Sequence, residues 1–207
     1  MSNFDPAHTC VMLIDVWPLG GWAHGRGEAT TVTRQNIARV LTAARAAGIP
    51  IWARNSGLPY PDTPPELVTA LHGTGLLMDG ANQPDETWDH WHENPQEWHT
   101  NVVNYEDYPV LVYIGYYLDE CVASMASGYL DAATAGHEVI IVKDAGLVNH
   151  VCSRLDFKRY PGPCLDETKP SFQLALAAFF CDGIASEVAR SLSTDEFEIA
   201  VKGDGLL

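Results

Sequence analysis

The chain has 207 residues, 46% of them hydrophobic, and a formal net charge of −15. This length and apolar content suit one substantial core in a single domain spanning 1–207. The acidic balance argues against nucleic acid and anionic membrane, which need basic patches for counterion release. Five cysteines, an odd number with no tight C-x-x-C pair, point to reduced thiols in a cytoplasmic protein. The N-terminus has no basic segment leading into an apolar run, and no stretch approaches about 20 apolar residues. Neither a signal peptide nor a membrane span is expected.

In chain order, Thr9 to Asp15 reads as a strand, nearly continuous in apolar residues and therefore central. Trp17 to Gly27 is a glycine-rich loop carrying Trp22, His24 and Arg26, placed to line the mouth of a site. Thr31 or Thr33 then caps a helix with the stripe Ile37, Val40, Leu41 and Ala44, ended at Gly48. Ile49 to Ala53 is a second short strand with Arg54 at its carboxyl end.

From Pro59 to Pro109 the pattern is irregular, with Pro61, Pro64 and Pro65 ahead of a short helix over Glu66 to Leu71. The segment 86–99 is dense in tryptophan, histidine and acid. His90, His92, His99 and Asp89 have the residue types of a metal site, but the spacing matches no metal motif, and two positions two apart on a helix face different ways. No metal and no cofactor are expected. Trp88, Trp91 and Trp98 are read as packing residues.

Val110 to Ile114 is a strand closed by Gly115, and Glu138 to Val142 is another. Between them Val122, Met125, Ala126, Tyr129, Leu130 and Ala133 mark one helical stripe stopped by Gly136. Two parallel strands joined by a helix form a right-handed crossover unit. Cys121 lies at the start of that helix, with Asp119 and Glu120 beside it. A thiol there meets exposed backbone N–H groups and the positive end of the helix dipole, which favour the nucleophilic thiolate and can hold an oxyanion. Free cysteine is also among the most buried residue types, so a purely structural Cys121 is the competing reading.

Gly146 to Pro163 reads as loop, with Cys152 and Cys164 incidental. Ser171 to Phe180 reads as an amphipathic helix buried along most of its surface. Asp182 to Leu192 continues it, with Ile184, Val188 and Leu192 in register. Phe197 to Val201 alternates and reads as a late edge strand.

Gly115 through Cys121-Val122, then Asp131-Ala132, Gly136 and the strand ending in Asp144-Ala145, with Thr9 to Asp15 upstream, resemble the isochorismatase-like cysteine hydrolases. That family includes nicotinamidases and N-carbamoylsarcosine amidases. The resemblance implies an α/β three-layer sandwich, a mainly parallel sheet with helices on both faces. It implies Asp15 as the general base for Cys121. It also implies a cis peptide between Tyr116 and Tyr117 that turns N–H groups toward the oxyanion, with Tyr117 and Cys121 as donors within the run Tyr117 to Cys121. Members that bind zinc carry their ligands just after the second strand, where this chain has Arg54 to Pro59 and none of them. The 171–180 stretch often joins subunits in the family, so a homo-oligomer, dimer or tetramer, is expected.

One departure matters. The family completes its triad with a lysine at the end of a strand in the middle region, and this chain has no lysine before Lys143. Arg54, His90, His92 and His99 are the candidate replacements. Two readings follow. The first is a cysteine hydrolase of a small amide, imide or ureido C–N bond, with Trp17, Trp22, Arg54, Tyr116, His92 and His99 around a small-molecule substrate. The second is a non-catalytic binding or scaffold protein that kept the fold.

Overall fold

The computed structural model describes residues 5–14, 27–54, 107–124, 128–148 and 170–203. Five strands form one parallel sheet: β1 (Thr9–Ile14), β2 (Ile51–Arg54), β3 (Val110–Tyr116), β4 (Glu138–Leu147) and β5 (Arg190–Leu192). Their spatial order is β2-β1-β3-β4-β5. The chain leaves β1 for β2 on one side, then returns to the other side of β1 for β3. Neighbouring strands therefore part company between β1 and β3, where an open α/β sheet has its crevice.

Every residue of β1 is buried, as expected of a central strand covered on both faces. Side chains alternate across a strand, and two apolar layers result. Val11, Leu13, Val112, Ile114, Tyr116, Ile140 and Val142 pack with α1 (Gly27–Ala46) and Phe197 of α5 (Thr194–Lys202). Cys10, Met12, Ile14, Leu111, Tyr113, Val139 and Ile141 pack with α2 (Cys121–Ser124), α3 (Tyr129–Thr134) and α4 (Pro170–Phe179). This is the expected three-layer sandwich.

The stripe Ile37, Val40, Leu41 and Ala44 is buried as read from the sequence. The helix starts earlier, however, at Gly27, so Thr31 and Thr33 lie within it rather than at its cap. Thr30, Thr33 and Arg34 are buried as well. The inward face thus continues as polar residues for a further turn, which apolar periodicity does not reveal.

Three other expectations give way to local chemistry. The helix after β3 is interrupted: Gly128 is extended (φ −74, ψ 168) and caps a second helix, α3. Leu130 of the expected stripe is 42% exposed; Met125 and Ala126 lie outside the described residues. The 182–192 stretch is not one helix. A π-helical turn (Phe180–Ile184) and a 3-10 turn (Ala185–Glu187) lead into β5, leaving Ile184 and Val188 exposed. Only one face of α4 is buried, and Leu174 is exposed.

Phe197 to Val201 is helix, not edge strand, and the edge strand is Arg190–Leu192. Ser193 and Glu196 form a reciprocal capping box, and Gly203 (φ 74) closes the other end. Thr194, Phe197 and Ala200, spaced three apart, are the buried positions. The S-x-x-E signal was present in the sequence and outweighs a five-residue alternation. Arg39 joins α1 to α5, its Nε and Nη2 each 3.0 Å from Glu198 carboxylate oxygens and Nη2 2.6 Å from Asp195.

His137, just before β4, is buried, and its Nδ1–H donates to the Tyr108 carbonyl at 2.8 Å. Burial lowers its pKa, and the carbonyl opposes this only in part. The unfolded chain therefore binds more protons than the fold between the lowered pKa and the ordinary value near 6.5, so stability rises with pH across that window. We expect the thermal midpoint to fall as pH drops from 7 to 5, and less steeply in His137→Asn. Parallel pH profiles for both proteins would remove His137 from the account.

Candidate active site

The carboxyl edge of the sheet is level across four strands. Arg54 pairs with Ile14, Ile14 with Gly115, and Gly115 with Gly146. Asp15 is the next residue after Ile14 and itself lies outside the described residues. Trp17, Trp22, His92, His99 and the side chain of Arg54 lie outside them too, as do His90, the 66–71 and 86–99 segments, Cys152 and Cys164. What the fold positions directly is the seam between the end of β1 and the turn that carries Cys121.

Gly115 sets how close that seam is. A Cβ there would stand 1.8 Å from the Ile14 carbonyl oxygen, and its φ of +127 suits glycine alone. Two residues later the backbone turns sharply. The Tyr116–Tyr117 peptide bond is cis, at the expected place. Leu118 fills the space above Gly146, where a Cβ would come within 2.4 Å of its side chain. Its N–H donates to the Leu147 carbonyl at 2.7 Å. The turn is thereby pinned to β4.

The Tyr117 carbonyl accepts from the N–H groups of Glu120 (3.0 Å) and Val122 (3.1 Å). The Glu120 carbonyl accepts from those of Ala123 (3.0 Å) and Ser124 (2.8 Å). Within the run Tyr117 to Cys121, the N–H groups of Leu118 and Glu120 are therefore committed to backbone carbonyls. Cys121 opens α2, half-buried, and packs against both apolar layers. It thus sits at the end of the sheet where the layers meet.

Tyr116 is fully buried in the layer shared with α1. Burial pushes its hydroxyl up to about 12, while the adjoining Arg34 guanidinium pulls the other way. Among the described residues Arg34 is the one lysine or arginine that is buried, at 2% exposure. Sequence reading passed over it. The signal was its spacing of three from Ile37 and seven from Leu41, on the inward stripe.

Asp144, part of the resemblance, serves the fold. Its Oδ1 accepts from the backbone N–H and the hydroxyl of Thr194 at 2.7 and 2.8 Å, and its carbonyl accepts from Asn36 at 2.9 Å. It joins β4 to both helices of one layer. A cavity of about 640 Å³ lined by His137, Cys181, Asp182 and Arg190 opens where β4 and β5 begin, at the opposite edge from Cys121. No helix among the described residues is long and apolar enough to cross a membrane.

The fold is that of the isochorismatase-like cysteine hydrolases. Three solved structures illustrate the likeness. YcaC from Pseudomonas aeruginosa, solved with hexane-2,5-diol and covalent acrylamide, has 18% identity and a TM-score of 0.62 over 98% of this chain and 84% of its own. The YcaC gene product of Escherichia coli, an octameric hydrolase of unknown specificity, has 16% identity and a TM-score of 0.63 over 99% and 84%. A cysteine hydrolase from Pseudomonas syringae pv. phaseolicola has 14% identity and a TM-score of 0.55 over 99% and 97%. No family sequence model matches the chain, and neither does any curated protein.

Proposed function

We propose that this chain is a cysteine hydrolase of a small amide, imide or ureido substrate. Asp15 takes the proton from the Cys121 thiol, and the thiolate attacks the carbonyl carbon. The N–H groups of Tyr117 and Cys121 hold the oxyanion of the tetrahedral intermediate. Asp15 returns the proton to the leaving nitrogen as the C–N bond breaks, and water then hydrolyses the thioester. Trp17, Trp22, Arg54, His92 and His99 are the residues assigned to substrate; Tyr116, expected among them, is instead fully buried in the layer shared with α1. The observation that carries this reading is the register Ile14↔Gly115, which sets the strand end before Asp15 beside the turn before Cys121.

We extend the proposal to a cytoplasmic homo-oligomer. Its support is the octameric relative together with the exposed apolar side chains Leu130, Leu174, Ile184 and Val188. The competing reading, a scaffold that kept the fold without turnover, is favoured by the missing lysine.

Alkylation decides between them. Cys10 and Cys181 are 2% and 1% exposed, and burial pushes the Cys181 thiol up to about 12. With iodoacetamide at pH 6 to 7, Cys121 is expected to be modified well ahead of both. A Cys121 rate no faster than that of an ordinary thiol, pKa about 8.5, would leave the scaffold.

A further inference from the structure

The buried end of α1 has a charge that the reaction above does not use. Arg34 continues the inward stripe of Ile37 and Leu41 toward the carboxyl edge, for α1 follows β1 and its far end meets β2. Its guanidinium adjoins the hydroxyl of Tyr116, the last residue of β3. The Tyr116 ring lies 6.1 Å from that of Tyr117, whose carbonyl closes the turn before Cys121. Tyr116 and Tyr117 belong to the layer against which Cys121 packs. A guanidinium stays charged at any ordinary pH, and a charge taken from water is costly unless anions nearby offset it.

Among the described residues, the titratable side chains on this turn and on the strand ends beside it are anionic or neutral, and Arg39 of α1 is bound to Asp195 and Glu198. Tyr117, Asp119 and Glu120 belong to the turn, Tyr116 to β3, Tyr129 to α3 and Asp144 to β4; Asp15 follows β1. Lys143 of β4 is bound to Asp182 at 3.1 Å. Carboxylates raise a thiol's pKa, so a thiolate on this turn needs a cation.

We infer that Arg34 is the positioning cation of the Cys121 site, a buried guanidinium on α1 in place of a lysine on a strand end. It holds Tyr116 at the end of β3 and stabilises the Cys121 thiolate through the interior, from the side of the sheet opposite α2. This rests on the hydrolase reading. A cation so placed acts on the thiolate without touching substrate, leaving the mouth of the site to other residues.

The test is the pH profile of Cys121 alkylation by iodoacetamide, followed by mass spectrometry of the Cys121 peptide. Arg34→Met should raise the midpoint by about one pH unit, the size of change an opposite charge within the same site makes. Arg34→Lys, which keeps the charge, should restore most of it, as a merely structural role would not. If Arg34→Met does not fold by circular dichroism, Arg34→Gln takes its place. The wild type offers a further check, because salt screens a buried charge little. Its midpoint should hold between low salt and about 1 M KCl, and a rise of about one unit would assign the effect to a solvent-facing cation and overturn the inference. A low wild-type midpoint that folded Arg34→Met leaves unchanged overturns Arg34 alone. An ordinary wild-type midpoint near 8.5 overturns the hydrolase reading with it.

Discussion

Replacing Gly115 by alanine is expected to destabilise the protein by about 4 kcal/mol or more, or to leave it insoluble. The added Cβ would lie 1.8 Å from the Ile14 carbonyl oxygen, 2.8 Å from its carbon and 3.0 Å from its nitrogen. These are backbone atoms of the central strand, so relief requires β1 and β3 to separate at their carboxyl ends. Gly136→Ala is the matched control. It has the same sign of φ, +99, but nothing within 4 Å of the new Cβ. Its cost is conformational strain alone, about 1 kcal/mol. Urea unfolding of the two variants isolates the close approach as the difference between them. Equal losses would mean that the approach of Gly115 to Ile14 is looser than the structure has it. Because Ile14 immediately precedes Asp15, even a folded Gly115→Ala should lose alkylation selectivity at Cys121.

Cys121→Ala and Asp15→Asn are each expected to lower hydrolysis of a small amide by about 10³-fold or more, with folding intact. The double variant should lose little beyond the worse single one, since a nucleophile and its base act as one unit. Where no amide substrate is in hand, p-nitrophenyl acetate reports the same chemistry. The wild type should release a burst of p-nitrophenolate and hold one acetyl group on Cys121, seen by mass, and Cys121→Ala should do neither. Asp15→Asn should slow the burst near pH 7, because the amide cannot take the thiol proton. An undiminished burst in Cys121→Ala would move the nucleophile elsewhere. Unchanged acylation in Asp15→Asn would separate the two residues and return Asp15 to a structural role.

Ile14 and Gly115 are 101 positions apart in the sequence (115 − 14), yet the edge they share was legible there. Continuous apolar runs of strand length, one ending at Asp15 and one at Gly115, mark strands buried on both faces, and parallel pairing brings their carboxyl ends to one side. The layers were legible for the same reason, since period-two alternation and the α1 stripe assign each residue to a face. The resemblance added the cis bond at Tyr116–Tyr117, which the structure has.

Elsewhere local pattern misled, for reasons the tertiary structure makes plain. Five alternating residues at Phe197 to Val201 looked like a strand, but caps at Ser193 and Gly203 and one buried face against α1 made them a helix. The helical register across Ile184 and Val188 broke because β5 must reach the sheet beside β4. Residues by themselves determined strands β1 to β4 and the central position of β1, both consequences of short-range periodicity. Only the tertiary structure decided which backbone N–H groups of the Cys121 turn are already bonded, how nearly Gly115 touches Ile14, and that a charged Arg34 is buried behind Tyr116. Each of these depends on distances between segments far apart in the chain, and such distances are set when the layers pack.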